Sequence, residues 1–243
     1  MTWSPTPHPP PLTAGEVHLW RIPLERDEEG LARDRPLLSD LERRRADRLR
    51  FPVHRRRFVA AHGALRRLLS RYLDRDPGSI AFSYGERGKP YLADPPDGID
   101  LRFNLSDSED LALCAVALGR EVGIDLERMR RDMAFLRLAE RWFAPSEIVA
   151  LRETPEQLIP AAFFACWTRK EAWVKALGGS ILGATRRFAV SVDPAAERVG
   201  LTVPGDPDAA ERWSIVTLDV DPRYAGALAI EGEPERRRYR WSE

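Results

Sequence analysis

A helical segment around residue 170 is the feature of this sequence that most constrains how the chain folds. Residues 161–177 carry apolar side chains at helical spacing, including Trp167 and Trp173, which we expect to pack in the core, and a Gly-Gly pair then predicts the end of the helix. Glu171 and Lys175 lie one turn apart on the same stripe of that helix. They are either an ion pair on a solvated face, which contributes only a few tenths of a kcal/mol, or the carboxylate and ammonium of a functional site.

Lysine is rare in this chain. Of the 38 basic residues only three are lysines, Lys89, Lys170 and Lys175. Arginine therefore serves almost everywhere that a cation needs only to be solvated, while lysine, a compact and flexible point charge, occupies a few positions. Two of the three lysines lie in the segment around residue 170, which favours a functional site there. The net charge is zero and by itself indicates no partner.

Length and composition are those of an ordinary globular protein. A chain of 243 residues, 43% of them hydrophobic, can bury a core as one large domain or two small ones. Cys114 and Cys166 are typical of buried thiols, and the four histidines have no zinc-binding spacing. Because no apolar run is long enough to span a membrane and no signal-peptide core is found, we expect a soluble, cytoplasmic protein without a membrane partner.

The order of the predicted elements indicates an α+β fold. Residues 1–14 are rich in proline and are expected to be a disordered lead-in, followed by an N-terminal half over residues 15–119 and a C-terminal half over residues 120–243. Each half reads as a strand, then helices, then several strands, which predicts two similar halves, each a small antiparallel sheet packed with helices. The predicted strands are residues 16–24, 79–84, 91–92, 101–105, 111–118, 122–127, 187–192, 200–203, 213–220 and 226–230, and the predicted helices are two within residues 39–73, divided at Pro52, then 133–143, 145–152 and 155–177. The arginines at 236–238 are expected to form an exposed basic run at the end.

The two helices predicted within residues 39–73 are strongly basic. Between Arg43 and Arg71 there are eleven arginines and one acid, Asp47. A solvated helix face is one interpretation. Because so many like charges repel each other unless anions offset them, phosphate binding is the other.

Two carboxylates share one face of the strand predicted over residues 122–127. In that strand Asp125 and Glu127 point to the face opposite the apolar residues. Such a pair is either a surface feature or the beginning of a metal site, and oxygen ligands without histidine or cysteine favour Mg²⁺ or Mn²⁺. Glu171 could supply a third carboxylate.

Groups suited to binding anions surround these motifs in the sequence. Lys89 and Pro90 lie in a tight turn between predicted strands, Asn104 and Ser106 follow a predicted strand end, and Arg57 offers a guanidinium fork. Carboxylates for a divalent cation together with cations for phosphates are typical of phosphoryl transfer. The glycine fingerprints of P-loop and Rossmann proteins are absent from the sequence, which argues against those nucleotide-binding folds.

Five motifs in order resemble one known family. VGIDLER (122–128) and CWTRKEAWVKALGGSI (166–181) are similar to the two signature motifs of the 4′-phosphopantetheinyl transferases, and HRRRF (54–58), RGKPYL (87–92) and FNLSDS (103–108) match its other blocks. The length and the presence of both halves resemble the surfactin-synthetase-activating type rather than the short holo-acyl-carrier-protein synthase type. The similarity covers roughly residues 42–188.

The resemblance implies an activity and roles for individual residues. The protein would transfer the 4′-phosphopantetheine group of coenzyme A to a serine of an apo acyl or peptidyl carrier protein, release adenosine 3′,5′-bisphosphate, and act as a monomer without nucleic acid. The implied roles are Mg²⁺ binding by Asp125, Glu127 and Glu171, catalysis by Glu171 and Lys175, and coenzyme A binding by Arg45, Arg48, Arg57, Lys89, Pro90, Asn104, Ser106 and Lys175. Coenzyme A would lie in the cleft between the halves, with nucleotide binding in the N-terminal half and the metal and catalytic motifs in the C-terminal half.

One position departs from the family. Asp107 stands where many members carry a histidine that contacts the phosphates of the coenzyme, and an ionised aspartate has no proton to donate to a phosphate. The alternative to the enzyme is a non-catalytic protein whose basic helices bind a polyanion. The acidic face of Asp125 and Glu127 argues against this alternative, because a nucleic-acid groove would avoid carboxylates.

Overall fold

The structure, a computed structural model, describes residues 3–6, 8–86, 88–179, 185–196 and 199–241. Three residues of the predicted motifs, Arg87, Ser180 and Ile181, lie outside these ranges. The strands are β1 (Ser4–Thr6), β2 (Glu16–Pro23), β3 (Phe82–Tyr84), β4 (Pro90–Leu92), β5 (Leu101–Ser108), β6 (Leu111–Leu118), β7 (Val122–Arg128), β8 (Ala189–Val190), β9 (Leu201–Thr202), β10 (Trp213–Leu218), β11 (Tyr224–Glu231) and β12 (Glu235–Trp241). The helices are α1 (Glu28–Asp34), α2 (Asp40–Arg48), α3 (Pro52–Leu73), α4 (Phe135–Trp142), α5 (Pro145–Glu153), α6 (Ile159–Ala176) and α7 (Ala209–Arg212). This mixture confirms the α+β class.

Two sheets and two long helices form four layers. The first sheet has the strand order β1-β12-β2-β6-β5 and the second has the order β10-β11-β7. Helix α3 packs on the outer face of the first sheet, and α6 packs on the outer face of the second. The inner faces of the two sheets pack against each other through an apolar layer that includes Leu113 and Ile124.

The alternation of side chains in β6 shows how one strand serves two layers. Ala112, Cys114 and Val116 face α3, whereas Leu113 and Ala115 face the second sheet. Because both faces are buried, the strand is an unbroken apolar run without alternating polarity.

The basic helices begin where the sequence predicts. The Ser39 side chain caps the start of α2 in a reciprocal capping box with Glu42, and Pro52 occupies the first turn of α3, where its missing N–H leaves no hydrogen bond unmade. Helix α1, which the sequence analysis did not predict, begins at the Asp27 cap. It ends at Asp34, whose carboxylate pairs with an arginine of α3.

Both chain ends differ from the expectations. Within the lead-in expected to be disordered, β1 pairs in parallel with β12. The arginines at 236–238, expected to be an exposed run, belong to β12, which also pairs in parallel with β2, so this sheet is mixed and not purely antiparallel. The reason is the alternation of arginines with aromatic residues: Tyr239 and Trp241 pack on Trp20, with ring centroids 4.9 and 6.1 Å away. The boundary at residues 119 and 120 stays a prediction, although β12 lies in the sheet of the N-terminal half.

Several of the predicted strands are shorter than expected. Of residues 79–84 only Phe82–Tyr84 form a strand, and the strand predicted over 213–220 ends at Leu218. Of residues 187–192 and 200–203, only Ala189–Val190 and Leu201–Thr202 form strands, and these pair with each other. In the part of the chain that the structure describes, no helix has the length and apolar character needed to cross a membrane.

A buried histidine lies where the first sheet meets α3. The His18 ring is fully buried, and its Nδ1 lies 2.7 Å from the hydroxyl of Tyr72, which also accepts a hydrogen bond of 2.9 Å from the indole of Trp20. The Tyr72 hydroxyl therefore keeps its proton for donation to Nδ1 of a neutral His18. Burial lowers the pKa of His18 to about 4.

His18 should make the protein less stable in acid. Because the folded state holds His18 neutral down to about pH 4 while the unfolded chain protonates near the ordinary value of 6.5, stability falls as the pH drops through this window. We expect the free energy of unfolding to fall by about 3 kcal/mol between pH 7 and pH 4 from this residue alone. Urea unfolding of wild type and His18→Gln at both pH values measures it. An equal loss in the two proteins would contradict the assignment to His18.

Candidate active site

Helix α6 and strand β7 form the floor of the candidate site. The helix lies so close to the strand that a Cβ atom on Gly123 would overlap the backbone of Ala172 and Ala176. The apolar residues of β7 face the first sheet, as the alternation predicts, and this leaves Asp125 and Glu127 facing α6.

Glu171 and Lys175 of α6 point back at these carboxylates. The Lys175 Nζ donates to Asp125 Oδ1 at 2.6 Å and to Ser106 Oγ at 2.9 Å. Glu171 is only 2% exposed and lies close enough to Asp125 and Glu127 for the three charges to interact. The pair on α6 is therefore not a surface ion pair, because Lys175 is bonded to a strand residue and Glu171 is buried.

Two carboxyl groups of this cluster, Glu127 and Glu171, resist ionisation. Burial and the nearby charge of Asp125 raise the pKa of Glu171 to about 8 and that of Glu127 to about 7, although Lys175 opposes both shifts. Burial would lower the pKa of Lys175, but Asp125 raises it overall, so the ammonium stays charged. Three carboxyl groups thus share the site with one cation.

Two buried oxygens of the cluster are unpartnered. Asp125 Oδ2 and Glu171 Oε1 have no hydrogen-bond partner in the described part of the chain. Orphaned carboxylate oxygens that repel each other are chemically suited to a hard divalent cation. Among the residues that the structure describes, however, no group of three or more histidine, cysteine, aspartate or glutamate side chains is arranged to hold a metal ion.

A row of side-chain oxygens on β5 joins the edge strands of the two sheets. Three side chains of β5 accept hydrogen bonds from backbone N–H groups of β7: Asn104 from Ile124 at 2.8 Å, Ser106 from Leu126 at 3.3 Å and Ser108 from Arg128 at 2.9 Å. The strand predicted over residues 101–105 is therefore longer than expected, since β5 continues to Ser108 because its polar side chains find partners on β7. We call this row, Asn104, Ser106 and Ser108, the polar seam.

Lys89 is predicted to bind nucleotide, and the structure places it at the end of α6. Its side chain is buried, and its Nζ donates to Glu121 at 2.6 Å, to the carbonyl of Ala176 at 2.9 Å and to the carbonyl of Val122 at 3.0 Å. All three N–H donors are thus engaged. The neighbouring Pro90 begins β4.

The arginines predicted to bind phosphate lie apart from the carboxylate cluster. Arg57 of α3 donates to Glu109 at 2.7 Å, in the turn after β5. Arg45 and Arg48 are exposed on α2, and Arg45 lies over the Phe58 ring. Their contacts that the structure describes do not include the carboxylate cluster.

Acids from elsewhere in the chain neutralise much of the basic segment. Arg56 pairs with Glu28, Arg66 with Glu42, and Arg67 with Asp34. The excess of arginine at 43–71 therefore does not by itself require a bound polyanion. The absence of nucleic-acid binding stays a prediction.

An apolar cavity of about 220 Å³ opens beside the carboxylates. It is lined by Ser108, Glu127, Arg128, Arg130, Met133, Leu138, Trp142, Phe163, Phe164 and Trp167. Trp167, expected to be a core residue, is only half-buried and lines the cavity together with Glu127. Neither this cavity nor the contacts of Ser108 were predicted from the sequence, although the position of Ser108 two residues after Ser106 indicates a shared strand face.

Lys170 is fully buried on α6. Its Nζ donates to both carboxylate oxygens of Glu147, at 2.6 and 2.8 Å, and to the carbonyl of Phe188 at 2.7 Å. These contacts join α5, α6 and the segment leading into β8. Lys170 therefore supports the helix, and Lys175 is the lysine of α6 that belongs to the cluster.

Several known proteins are similar in sequence to this chain. A family described as the 4′-phosphopantetheinyl transferase superfamily matches residues 121–229. The 4′-phosphopantetheinyl transferase HetI of Nostoc sp. is 42% identical over 231 residues, which cover 95% of this chain and 94% of HetI. A 4′-phosphopantetheinyl transferase of Bacillus subtilis is 30% identical over 215 residues (82% of this chain, 89% of that protein), and Sfp of Bacillus subtilis strain 168 is 27% identical over 210 residues with the same shares. Because HetI is similar along nearly the whole length of both proteins, this chain belongs to the 4′-phosphopantetheinyl transferase superfamily.

Proposed function

We propose that this 4′-phosphopantetheinyl transferase moves the 4′-phosphopantetheine group of coenzyme A to a serine hydroxyl of an apo carrier protein and releases adenosine 3′,5′-bisphosphate. The observation that carries the proposal is the cluster of buried Asp125 and Glu171 with half-buried Glu127, which faces Lys175 beside an apolar cavity. A cation-binding group, a phosphate-binding ammonium and a pocket for a chain-like substrate are the parts that this reaction needs. Length and the presence of both halves support the surfactin-synthetase-activating type.

Mg²⁺, or Mn²⁺ in its place, is the cofactor that fits the cluster. Asp125, Glu127 and Glu171 would hold it, since two of their buried oxygens lack partners in the described part of the chain. Burial, together with the charge of Asp125, also raises the pKa of Glu127 and of Glu171. Bound there, the cation would neutralise charge on the pyrophosphate of coenzyme A.

The protein groups have separate tasks in the transfer. The serine oxygen forms a bond to the β-phosphorus, the bond from that phosphorus to the bridging oxygen breaks, and adenosine 3′,5′-bisphosphate leaves with the electron pair. Glu171 takes the proton of the serine, directly or through a water. Lys175 stabilises the charge that develops on the phosphoryl oxygens.

The cavity suits the pantetheine arm. Its walls of Met133, Trp142 and Phe163 are apolar, and Glu127 at the edge connects it to the carboxylate cluster. The pantetheine arm is mostly alkyl chain and amide groups. Its apolar surface would be removed from water when the arm enters the cavity, which favours binding. With the arm in the cavity, the phosphates of coenzyme A would lie beside Lys175.

The nucleotide end is assigned to arginines of α2 and α3. We propose that Arg57, Arg45 and Arg48 hold its phosphates. For Lys89 with Pro90, and for Asn104, a direct contact would require leaving partners that they already have, so we propose that they form and brace the wall of the site. We further propose a monomer that works in the cytoplasm, because one chain carries all the motifs and both cysteines are buried free thiols.

A mass-shift assay tests the function. Purified protein, coenzyme A, Mg²⁺ and an apo carrier protein should give the phosphopantetheine adduct of the carrier. A chelator should abolish the adduct, and added Mg²⁺ or Mn²⁺ should restore it, because the carboxylate cluster would then hold the cation again. An adduct that forms equally well with the chelator present would reject the metal, and no adduct on any of several acyl and peptidyl carriers would reject the transfer.

A further inference from the structure

The hydroxyl of Ser106 has every hydrogen-bonding position filled. It accepts from Lys175 Nζ at 2.9 Å and from the N–H of Leu126 at 3.3 Å, and it donates to Asp125 Oδ1 at 3.0 Å. A hydroxyl has one proton and two acceptor lone pairs, so this set uses all of them. Ser106 is also only 6% exposed. A direct contact with a substrate phosphate would break one of these bonds.

The same arrangement determines the direction of the Lys175 ammonium. Its Nζ carries three N–H donors, and in the described part of the chain Asp125 and Ser106 accept two of them. The third remains for a substrate oxygen. A lysine side chain has four rotatable bonds, and Asp125 alone would leave the ammonium free to turn about that single contact.

We propose that Ser106 is a positioning residue of the transfer reaction, which acts through Lys175 and does not touch the substrate. The hydroxyl holds the ammonium against Asp125 with its third N–H directed at the reacting phosphate. The proposal rests on the role assigned to Lys175 under the proposed function. It differs from the coenzyme contact that the family resemblance implies for Ser106.

Ser108 offers a matched control within the polar seam. Like Ser106, it accepts from a backbone N–H of β7, that of Arg128, and its hydroxyl reaches a carboxylate, that of Glu127 at 3.4 Å. Neither of these contacts involves Lys175. Removing the Ser108 hydroxyl therefore disturbs the same strand pair by a similar amount without releasing the ammonium.

A double-mutant cycle tests the proposal. Ser106→Ala should lower kcat about tenfold and change KM for coenzyme A less than about twofold, because a hydrogen bond to a charged group is lost from the transition state and not from substrate binding. In a Lys175→Ala background the same substitution should lower kcat less than about twofold. Ser108→Ala should have the same effect in both backgrounds. Single-turnover mass spectrometry with excess enzyme measures even the slow double variant.

The outcomes separate this proposal from its alternatives. If the losses from Ser106→Ala and Lys175→Ala multiply, Ser106 does not act through Lys175. A higher KM at unchanged kcat would show that the hydroxyl contacts coenzyme A. Ser106→Thr, which keeps the hydroxyl, should recover most of the lost kcat, and urea unfolding shows whether each variant folds. A wild-type protein without activity would reject the proposed function, whereas an active wild type with independent losses rejects only the role of Ser106.

Discussion

Replacing Glu171 with glutamine should abolish most phosphopantetheine transfer while leaving the protein at least as stable as wild type. The carboxylate is buried, one of its oxygens has no partner among the residues that the structure describes, and burial with the charge of Asp125 raises its pKa to about 8. A neutral amide of the same shape removes the repulsion, but it neither takes a proton nor binds a cation strongly. We expect kcat to fall about a hundredfold or more, as for other losses of a general base.

The stability effect has a definite pH dependence. Because the pKa of Glu171 in the folded state, about 8, lies above the ordinary value of 4.5, the wild type loses stability as the pH rises through this window in the absence of metal. The advantage of Glu171→Gln should therefore grow between pH 4.5 and pH 8. Urea unfolding in chelator measures it, and Glu140→Gln, at an exposed ion pair on α4, is the control. If Glu171→Gln transfers the group at nearly the wild-type rate, Glu171 has no catalytic role and contributes only to the structure of α6.

Replacing Gly123 with alanine should have the largest effect on stability. A Cβ atom there would overlap backbone atoms of α6 at Ala172 and Ala176, and a helix backbone cannot yield as the end of a flexible side chain can. The helix would have to move away from β7, which we expect to lower the free energy of unfolding by about 3 kcal/mol, at the upper end of overpacking effects. Transfer by the folded fraction should fall as well, because α6 carries both Glu171 and Lys175.

A second glycine controls for the change of residue type. At Gly200 an added Cβ atom would meet no atom within 4 Å, so Gly200→Ala should leave unfolding nearly unchanged. Urea unfolding of the two variants gives the comparison. Equal stability of Gly123→Ala and Gly200→Ala would mean that α6 and β7 do not pack as closely as described.

The family resemblance, which the comparisons confirm, depended on short motifs whose geometry is local. Alternation in a strand determines that Asp125 and Glu127 share a face, and helical spacing determines that Glu171 and Lys175 do. Neither pattern contains information about distance between the strand and the helix. The roles assigned to these four residues remain predictions, but the structure brings all four together.

Where the expectations about fold were wrong, a partner distant in the sequence was the reason. The strand predicted over residues 101–105 left out the polar residues 106–108, yet these continue β5 because β7 supplies hydrogen-bond partners for Ser106 and Ser108. The arginines near the end suggested an exposed run, yet Tyr239 and Trp241 find Trp20 of the first sheet. Local propensity describes the free energy that a conformation costs by itself. Tertiary packing decides whether other contacts offset this free energy.

By itself, then, the sequence determined the α+β class, the strand and helix that form the site, and the three lysines as exceptional positions. Only the tertiary structure decided what each lysine does: Lys89 donates its bonds to the end of α6, Lys170 supports that helix from within, and Lys175 meets Ser106, 69 residues away. The physical reason is that a lysine has the same charge and reach everywhere. Its role follows from the acceptors that folding places within hydrogen-bond distance, and periodicity along the chain does not encode those acceptors.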